Sequence, residues 1–373
     1  MRRIIFDEGH ELFRETVRKF LLEEVTPEYA DWERVGRPPR EFWKRAAEVG
    51  ILGIGVPPAL GGMRGSTFRH SAIVSEEAQK LGLALGGVRV HTDICLPYFL
   101  HFANAEQKSR WVPRLTGGDA VVALALSEPG AGSDMKSMTT KAVRDGDDYI
   151  VNGTKTFISN GAGADLVVLA VKTDPSAGRK GISLLVVETD TPGYECGRSL
   201  AKLGLKAQDL AELSFTDMRV PVSNLLGEEN EGFTYLTSNL AQERLSIAVS
   251  SQAAAVAALS ETVAQLAGKR IGQRAKFELA TSATDIRAGQ TLVDQAIQDL
   301  EANMLTGADA ALAKLYCTEL QGRVLATCVR ILGPDHYRRS SIVGRGYLDG
   351  RVTRIFGGSS EIMKVIVAQD LGV

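Results

Sequence analysis

Apolar side chains in the first hundred residues recur at helical spacing. Leu12, Phe13, Val17, Phe20 and Leu21 fall three to four apart with charges between them, which predicts an amphipathic helix. Pro38 and Pro39 precede a second helical stretch, Glu41 to Ala47, that Gly50 ends. The cluster Pro57-Pro58-Ala59-Leu60-Gly61-Gly62 then breaks the region in two. Between Asp119 and about Gly227 the period shifts to strands, over Leu166–Val171, Ile182–Val187 and Leu213–Val220, separated by polar and Gly/Pro turns. From Glu231 onward the pattern is helical again, and the Ala-rich windows Ser246–Val263 and Ala308–Ile331 favour helices packed closely in a bundle. The expected fold is α+β and mostly α, with a helical domain over 1–118, a β domain over 119–228 and a helical bundle over 229–373.

One stretch carries most of the chemical signal. The apolar run Val121–Leu126 leads into Ser127-Glu128-Pro129-Gly130-Ala131-Gly132-Ser133-Asp134, a strand followed by a tight loop. Pro129 fixes its own φ and biases Glu128 toward an extended shape, while Gly130 and Gly132 can take φ > 0 and let a ligand approach. Backbone N–H groups in such a loop form an anion-binding concavity, with the Ser127 and Ser133 hydroxyls as further partners. Asp148–Val151, then Asn152-Gly153, then Thr154–Ser159 predicts a hairpin turning at Asn-Gly. The same spacing also suits a plain surface hairpin beside a glycine loop.

Composition narrows the partners. With 43 basic and 45 acidic residues and a net charge of −2, the chain has no electrostatic footprint for nucleic acid, so a small-molecule or protein-tethered substrate is expected. Cys95, Cys196, Cys317 and Cys328 form no Cys-x-x-Cys and have no nearby His ligands. Neither a metal site nor a disulfide framework is expected, and a reduced cytoplasmic setting fits. The start turns acidic at Asp7-Glu8, and no apolar run approaches the roughly 18 residues of a membrane span, so neither a signal peptide nor an anchor is expected. His91 and His101 lack carboxylate or Cys neighbours and read as structural histidines. No Gly-x-Gly-x-x-Gly follows a strand, which argues against a Rossmann site.

The loop and the segment after it resemble the middle domain of the acyl-CoA dehydrogenase family, where (Thr/Ser)-Glu-Pro-x-Ala-Gly-Ser-Asp and then Asn-Gly-x-Lys-x-(Trp/Phe)-Ile-(Thr/Ser)-Asn wrap the flavin of FAD. Every slot is filled here, and the resemblance extends to Pro57–Gly62, to Phe215–Gly227 and to the three-part order, nearly the whole chain. It implies that Leu124, Leu126, Ser127, Gly132 and Ser133 line one side of the flavin and its phosphates, and that Phe157, Ile158 and Ser159 cover the ring. It also implies α,β-dehydrogenation of an acyl thioester, in which a base removes the α proton and the β hydrogen leaves as hydride.

In many family members the base is a Glu in a C-terminal Glu-Gly-(Thr/Ser)-(Ser/Asn) turn. Here that turn reads Phe356-Gly357-Gly358-Ser359-Ser360, and glycine takes no proton. The long-chain and isovaleryl branches instead place the base in a Glu-Arg-Leu sequence just after the β domain. Gln242-Glu243-Arg244-Leu245 stands there, which makes Glu243 the candidate base. An arbitrary Glu-Arg is usually a solvated helix pair; the loss at 357 together with the gain at 243 favours the catalytic reading. Gly357 keeps the backbone N–H that, in the family, bonds the thioester oxygen. Ser359 matches a hydroxyl residue that meets the flavin, or it simply stabilises its turn. Ser133, Arg244 and Phe356 are the candidate substrate contacts.

Two rivals stay open: an acyl-carrier-protein dehydrogenase, because Ala241 stands where some members carry an Asp near the CoA nucleotide, and a non-catalytic flavin-binding or supporting subunit. The resemblance implies an electron-transferring flavoprotein as acceptor. It weakens where the family holds the adenine end of a neighbour's FAD. Ala264–Gly272 lacks the Arg-x-x-Phe-Gly pattern, and Arg330–Tyr337 replaces Gln-x-x-Gly-Gly-x-Gly. A homo-oligomer, dimer or tetramer, with replacement contacts such as Lys269 and Arg270 is one expectation, and a heteromer with a homologous partner is the other.

Overall fold

The computed structural model describes residues 3–373. The first predicted helix is α1 (Glu8–Phe20), capped by Asp7, whose carboxylate accepts from the His10 N–H. Phe13, Val17 and Phe20 are buried as the spacing requires, whereas Leu12 faces solvent. A π-helical turn (Leu21–Val25) continues into α2 (Tyr29–Val35) and α3 (Arg40–Glu48), which stops before Gly50 at φ 82°. Then come α4 (Phe68–Lys80), α5 (Gly86–Arg89), a second π-helical turn (Val90–Cys95), α6 (Leu96–Phe102) and α7 (Ala105–Thr116). Phe20, Trp32, Phe42 and Trp43 form the aromatic centre of this part. His91 is a buried structural group: one ring nitrogen meets the Leu115 carbonyl at 3.1 Å and the other the Val122 N–H at 3.4 Å.

The middle of the chain is one curled sheet of β1 (Val122–Ala125), β2 (Lys141–Asp145), β3 (Asp148–Ser159), β4 (Leu166–Lys172), β5 (Ile182–Glu188), β6 (Tyr194–Ser199) and β7 (Leu210–Pro221). The strand order is β1-β4-β2-β3-β7-β6, with β5 on β4. All of β4 is buried, which is why it reads as an unbroken apolar run rather than an alternation. The predicted hairpin at Asn152-Gly153 is not there. β3 runs straight through, and those residues form a bulge where its register with β7 shifts between Val151 and Gly153. Asn152 is held by Asp217, accepting its N–H and donating to its carboxylate. The real turn is Gly146-Asp147, with Gly146 at φ 63°, joining β2 to β3. A side chain at Gly153 would strike Thr140, so a close strand crossing selects the glycine, not a turn.

The C-terminal part is a helical bundle: α8 (Gly232–Leu266), α9 (Gln273–Glu301), α10 (Gly307–Leu332), α11 (Ile342–Asp349) and α12 (Ser360–Asp370). Ala248, Ala255, Ala258, Ala310, Ala311 and Ala313 are buried and let α8 and α10 approach closely. An 18-residue window of α8 is apolar enough for a membrane span, contrary to the expectation that no such run exists. Yet 67% of that window is buried inside the protein, as in the core helix of a bundle. Glu243, Arg244, Ser246, Ser250 and Gln252 are buried along it, so its polar residues point at neighbouring elements.

Candidate active site

Glu243 lies at the start of the fourth turn of α8, only 7% exposed. Tyr98, from α6, donates its hydroxyl to Oε1 at 3.0 Å, and Asn239, one turn earlier, reaches the same oxygen at 3.4 Å. Burial pushes the carboxyl up to about 7, although the Tyr98 and Asn239 hydrogen bonds and the Arg244 charge pull it back. A carboxylate at that value can both take and return a proton near neutral pH. The solvated-pair alternative fails on geometry, because Glu243 and Arg244 are both buried. Arg244 donates from Nη1 to the Gly307 carbonyl at 3.5 Å, and its Nε is buried with no partner among the described residues.

The turn around Gly357 packs against the same helix. Gly357 has φ 65°, in the left-handed region, and a Cβ there would lie 2.3 Å from Ile247 Cδ1. Ile247 is one turn along from Glu243, so the two positions linked by motif face one region. Lys314, fully buried on α10, donates its ammonium to the Gly358 carbonyl. Burial and the nearby Arg244 charge lower it to about 8, against the pull of Glu319. Ser359 caps α12 and accepts from the Ile362 N–H at 3.4 Å, and Phe356 is half-buried.

The loop after β1 is built on a buried ion pair. Lys155 Nζ sits 3.0 Å from Glu128 Oε1 and 3.0 Å from the Leu126 carbonyl, while Glu128 also accepts from the Thr139 and Thr140 N–H groups and the Thr139 hydroxyl. Burial raises Glu128, but the Thr140 bond, the Lys155 charge and the Thr139 bonds outweigh it and hold it at about 2. Glu128 and Ala131 exchange backbone hydrogen bonds that close the turn. Neither Gly130 nor Gly132 takes the expected positive φ; what they supply is open space where a Cβ would stand.

The left-handed residue is instead Phe157, at φ 58° and 64% exposed. A strained, exposed aromatic beside half-buried Leu124, Leu126 and Ser127 and exposed Gly132 and Ser133 makes an open, partly apolar face fringed with hydroxyls. That suits a flat aromatic ring with a polar tail. Ile158 is the exception among the expected contacts, since its side chain is buried in the sheet core and only its backbone can meet a ligand. Ser159 is half-buried.

Family models match the chain in three consecutive parts: "Acyl-CoA dehydrogenase, N-terminal domain" over residues 7–119, "middle domain" over 123–218 and "C-terminal domain" over 230–372. The chain belongs to the acyl-CoA dehydrogenase family. It is 41% identical to the mitochondrial long-chain specific acyl-CoA dehydrogenase of Sus scrofa, over 99% of this chain and 88% of that protein. The crystal structure of an acyl-CoA dehydrogenase from Geobacillus kaustophilus superposes with a TM-score of 0.96 at 43% identity, covering 99% of each chain. A structure described as the electron transferring flavoprotein of Acidaminococcus fermentans gives a TM-score of 0.93 at 29% identity, over 100% of this chain and 99% of that one. Acyl-CoA dehydrogenases are flavoproteins, so the open face of the β sheet has a cofactor class that fits it.

Within this family member, sequence reading missed Tyr98, Asn239, Lys314 and the Glu128–Lys155 pair as structural partners of the site. Asn239 carried a signal, since it precedes Glu243 by one helical turn. Tyr98 carried none, being 145 residues away in sequence. At the departures from the family pattern, Lys269 and Arg270 are exposed in the loop between α8 and α9. Arg330 is tied to Glu278 at 2.8 Å, and Asp335 is exposed, 3.5 Å from Arg338.

Proposed function

We propose that this chain is an FAD-dependent dehydrogenase that converts an acyl-CoA to its 2-enoyl thioester, with Glu243 as the base. The observation that carries this reading is a carboxyl buried on α8 and held near neutral pH, beside a Gly357 turn that has no carboxylate of its own. Leu124, Leu126, Ser127, Gly132, Ser133, Phe157, Ser359 and the Ile158–Ser159 backbone would hold the cofactor. When bound, the flavin supplies the hydride acceptor.

The chain's own residues do the rest. Glu243 takes the α proton, and Tyr98 and Asn239 hold its carboxylate in one orientation. The Gly357 N–H donates to the thioester oxygen, where negative charge develops as the proton leaves. Lys314, bound to the next carbonyl, fixes that turn and adds positive charge with Arg244. Ser133, Arg244 and Phe356 contact the substrate around this centre. CoA is preferred over a carrier protein because the matched relatives are named for acyl-CoA, and an electron-transferring flavoprotein as acceptor is supported by the fold shared with a structure described as an electron transferring flavoprotein. A homo-oligomer holding the adenine end through Lys269 and Arg270, in the cytoplasm, completes the reading.

The purified protein decides it. Stoichiometric FAD, bleached anaerobically by an acyl-CoA and not by the free acid, is expected; a flavin unchanged by every acyl-CoA and acyl-carrier-protein thioester would make it the non-catalytic subunit. FAD content and mass in solution separate the homo-oligomer from a heteromer.

A further inference from the structure

Tyr98 reaches Glu243 because the helix that carries it is irregular. Residues 86–102 run on as one helix in which α5 and α6 flank the π-helical turn Val90–Cys95, where the Leu96 N–H donates to the His91 carbonyl five residues back. Pro97 follows at once and is buried, and it has no N–H to return to the Asp93 carbonyl four residues behind it. That carbonyl is not orphaned. Gln242, on α8, donates to it from Nε2 at 2.8 Å, and Asn239 Nδ2 donates to the neighbouring Ile94 carbonyl at 3.0 Å.

The Asp93 side chain completes the seam. It accepts from Ser246 Oγ at 2.5 Å and Thr92 Oγ1 at 2.9 Å, and its charge faces Arg89, one turn earlier, whose Nη1 is 3.4 Å from the Ser246 carbonyl. Asn239, Gln242, Glu243 and Ser246 therefore all meet this one irregular segment, and they stand at i, i+3, i+4 and i+7, a single stripe of α8. An inserted π residue turns the helix beyond it by about 100°, since an α-helix takes 3.6 residues per turn. Without it, Tyr98 would face away from Glu243. With it, Oε1 of Glu243 carries both the Tyr98 and the Asn239 contacts, and Oε2 has no hydrogen bond among the described residues.

We propose that Pro97 and the π-helical turn before it are the positioning device of the base: they tie up Oε1 of Glu243, so that Oε2 is the oxygen that receives the α proton. The proposal rests on the dehydrogenase reading and deepens it. Pro97 acts through Asp93, Gln242 and Tyr98 and takes no part in proton transfer itself. The groups that face the carboxyl do not compete for the proton. Burial, with the Glu243 charge beside them, holds the Cys95 thiol and the Tyr98 hydroxyl well above their usual ranges, and the charges on the other side are the cations Arg244 on α8 and Lys314 on α10.

Pro97→Ala supplies the missing N–H and lets the π turn relax toward an α-helix; Tyr98→Phe and the double variant close a cycle with it. On the FAD-loaded enzyme, Pro97→Ala should keep its affinity for an acyl-CoA and slow flavin reduction at saturation by about tenfold or more, as lost alignment does. The rising limb of kcat/KM should move to higher pH, and Tyr98→Phe should absorb that shift, because Pro97 works through the Tyr98 bond. A proline with a purely structural role predicts a helix at least as stable after the change, with rate and limb unmoved. An unmoved rate, an unmoved limb, or a limb shift that adds in full to that of Tyr98→Phe would overturn the inference. If Pro97→Ala fails to fold, Gln242→Leu, which removes the donor on the Asp93 carbonyl, is held to the same criteria. Comparing the pH dependence of melting for Glu243 and Glu243→Gln in each background reads the carboxyl without substrate. A raised carboxyl in Pro97→Ala, in a protein whose flavin no acyl-CoA bleaches, sinks the dehydrogenase reading and leaves the tie on Oε1 standing, whereas bleaching with an unmoved carboxyl sinks this inference alone.

Discussion

Replacing Glu243 with Gln should make the protein more stable at alkaline pH and leave that gain to fade as the solution is acidified. The carboxyl is raised from 4.5 to about 7 by burial, so the folded state holds its proton where the unfolded chain has released it. A raised value means the contribution to stability is fully present below about 4.5 and is lost as pH rises through about 7. The difference of about 2.5 units, at about 1.4 kcal/mol each, makes ionised Glu243 cost the fold on the order of 3 kcal/mol above pH 8. Gln keeps an oxygen for Tyr98 and Asn239 and carries no charge, so Glu243→Gln escapes that cost. Thermal melts of both proteins from pH 5 to 9 should diverge upward, by an amount of order 5 °C in Tm at the alkaline end. Titrations shared by the two proteins cancel in the difference. A Tm difference that does not change with pH would refute the reasoning, because the carboxyl would then have an ordinary affinity for its proton.

Three further outcomes follow from the same geometry. Lys155→Met strands Glu128 as a buried, unpaired carboxylate and should cost about 3–5 kcal/mol in denaturant unfolding, with loss of bound flavin as the loop after β1 relaxes. Tyr98→Phe removes a bond that lowers Glu243, so the rising limb of kcat/KM against pH should move to higher pH; an unmoved limb would show that Tyr98 does not touch the titrating group. Gly357→Glu in the Glu243→Gln background should recover little flavin reduction by itself, because that position has φ 65° and Ile247 occupies the space of the new Cβ. Adding Ile247→Ala should recover more, and no recovery in either would argue that 357 and 243 do not serve one α carbon.

The three-part fold was legible because each part has its own hydrophobic period. β4, whose seven residues are all buried, and the Ala-rich α8–α10 contact are direct consequences of such patterns. Local turn chemistry was less reliable. Asn152-Gly153 has the composition of a hairpin turn, but the partner strand and the closeness of Thr140 make it a bulge, and the two-residue Gly146-Asp147 connection takes the turn. Gly130 and Gly132 were expected for their φ and are useful for their emptiness. The proposed base was legible only as a pair of motifs, a Glu gained at 243 and absent at 357. What tunes it was legible only in part: Asn239 stands one helical turn before it, but Tyr98 and the desolvation arrive only when α6 packs on α8.

The central claim is tested most directly by anaerobic stopped-flow reduction of Glu243→Gln loaded with FAD, using the acyl-CoA that best reduces the wild type. Unchanged FAD content and thioester affinity, with flavin reduction slower by about 10²–10⁴, is the predicted result. Reduction at the wild-type rate would contradict it, and the proton would have to leave to a different group.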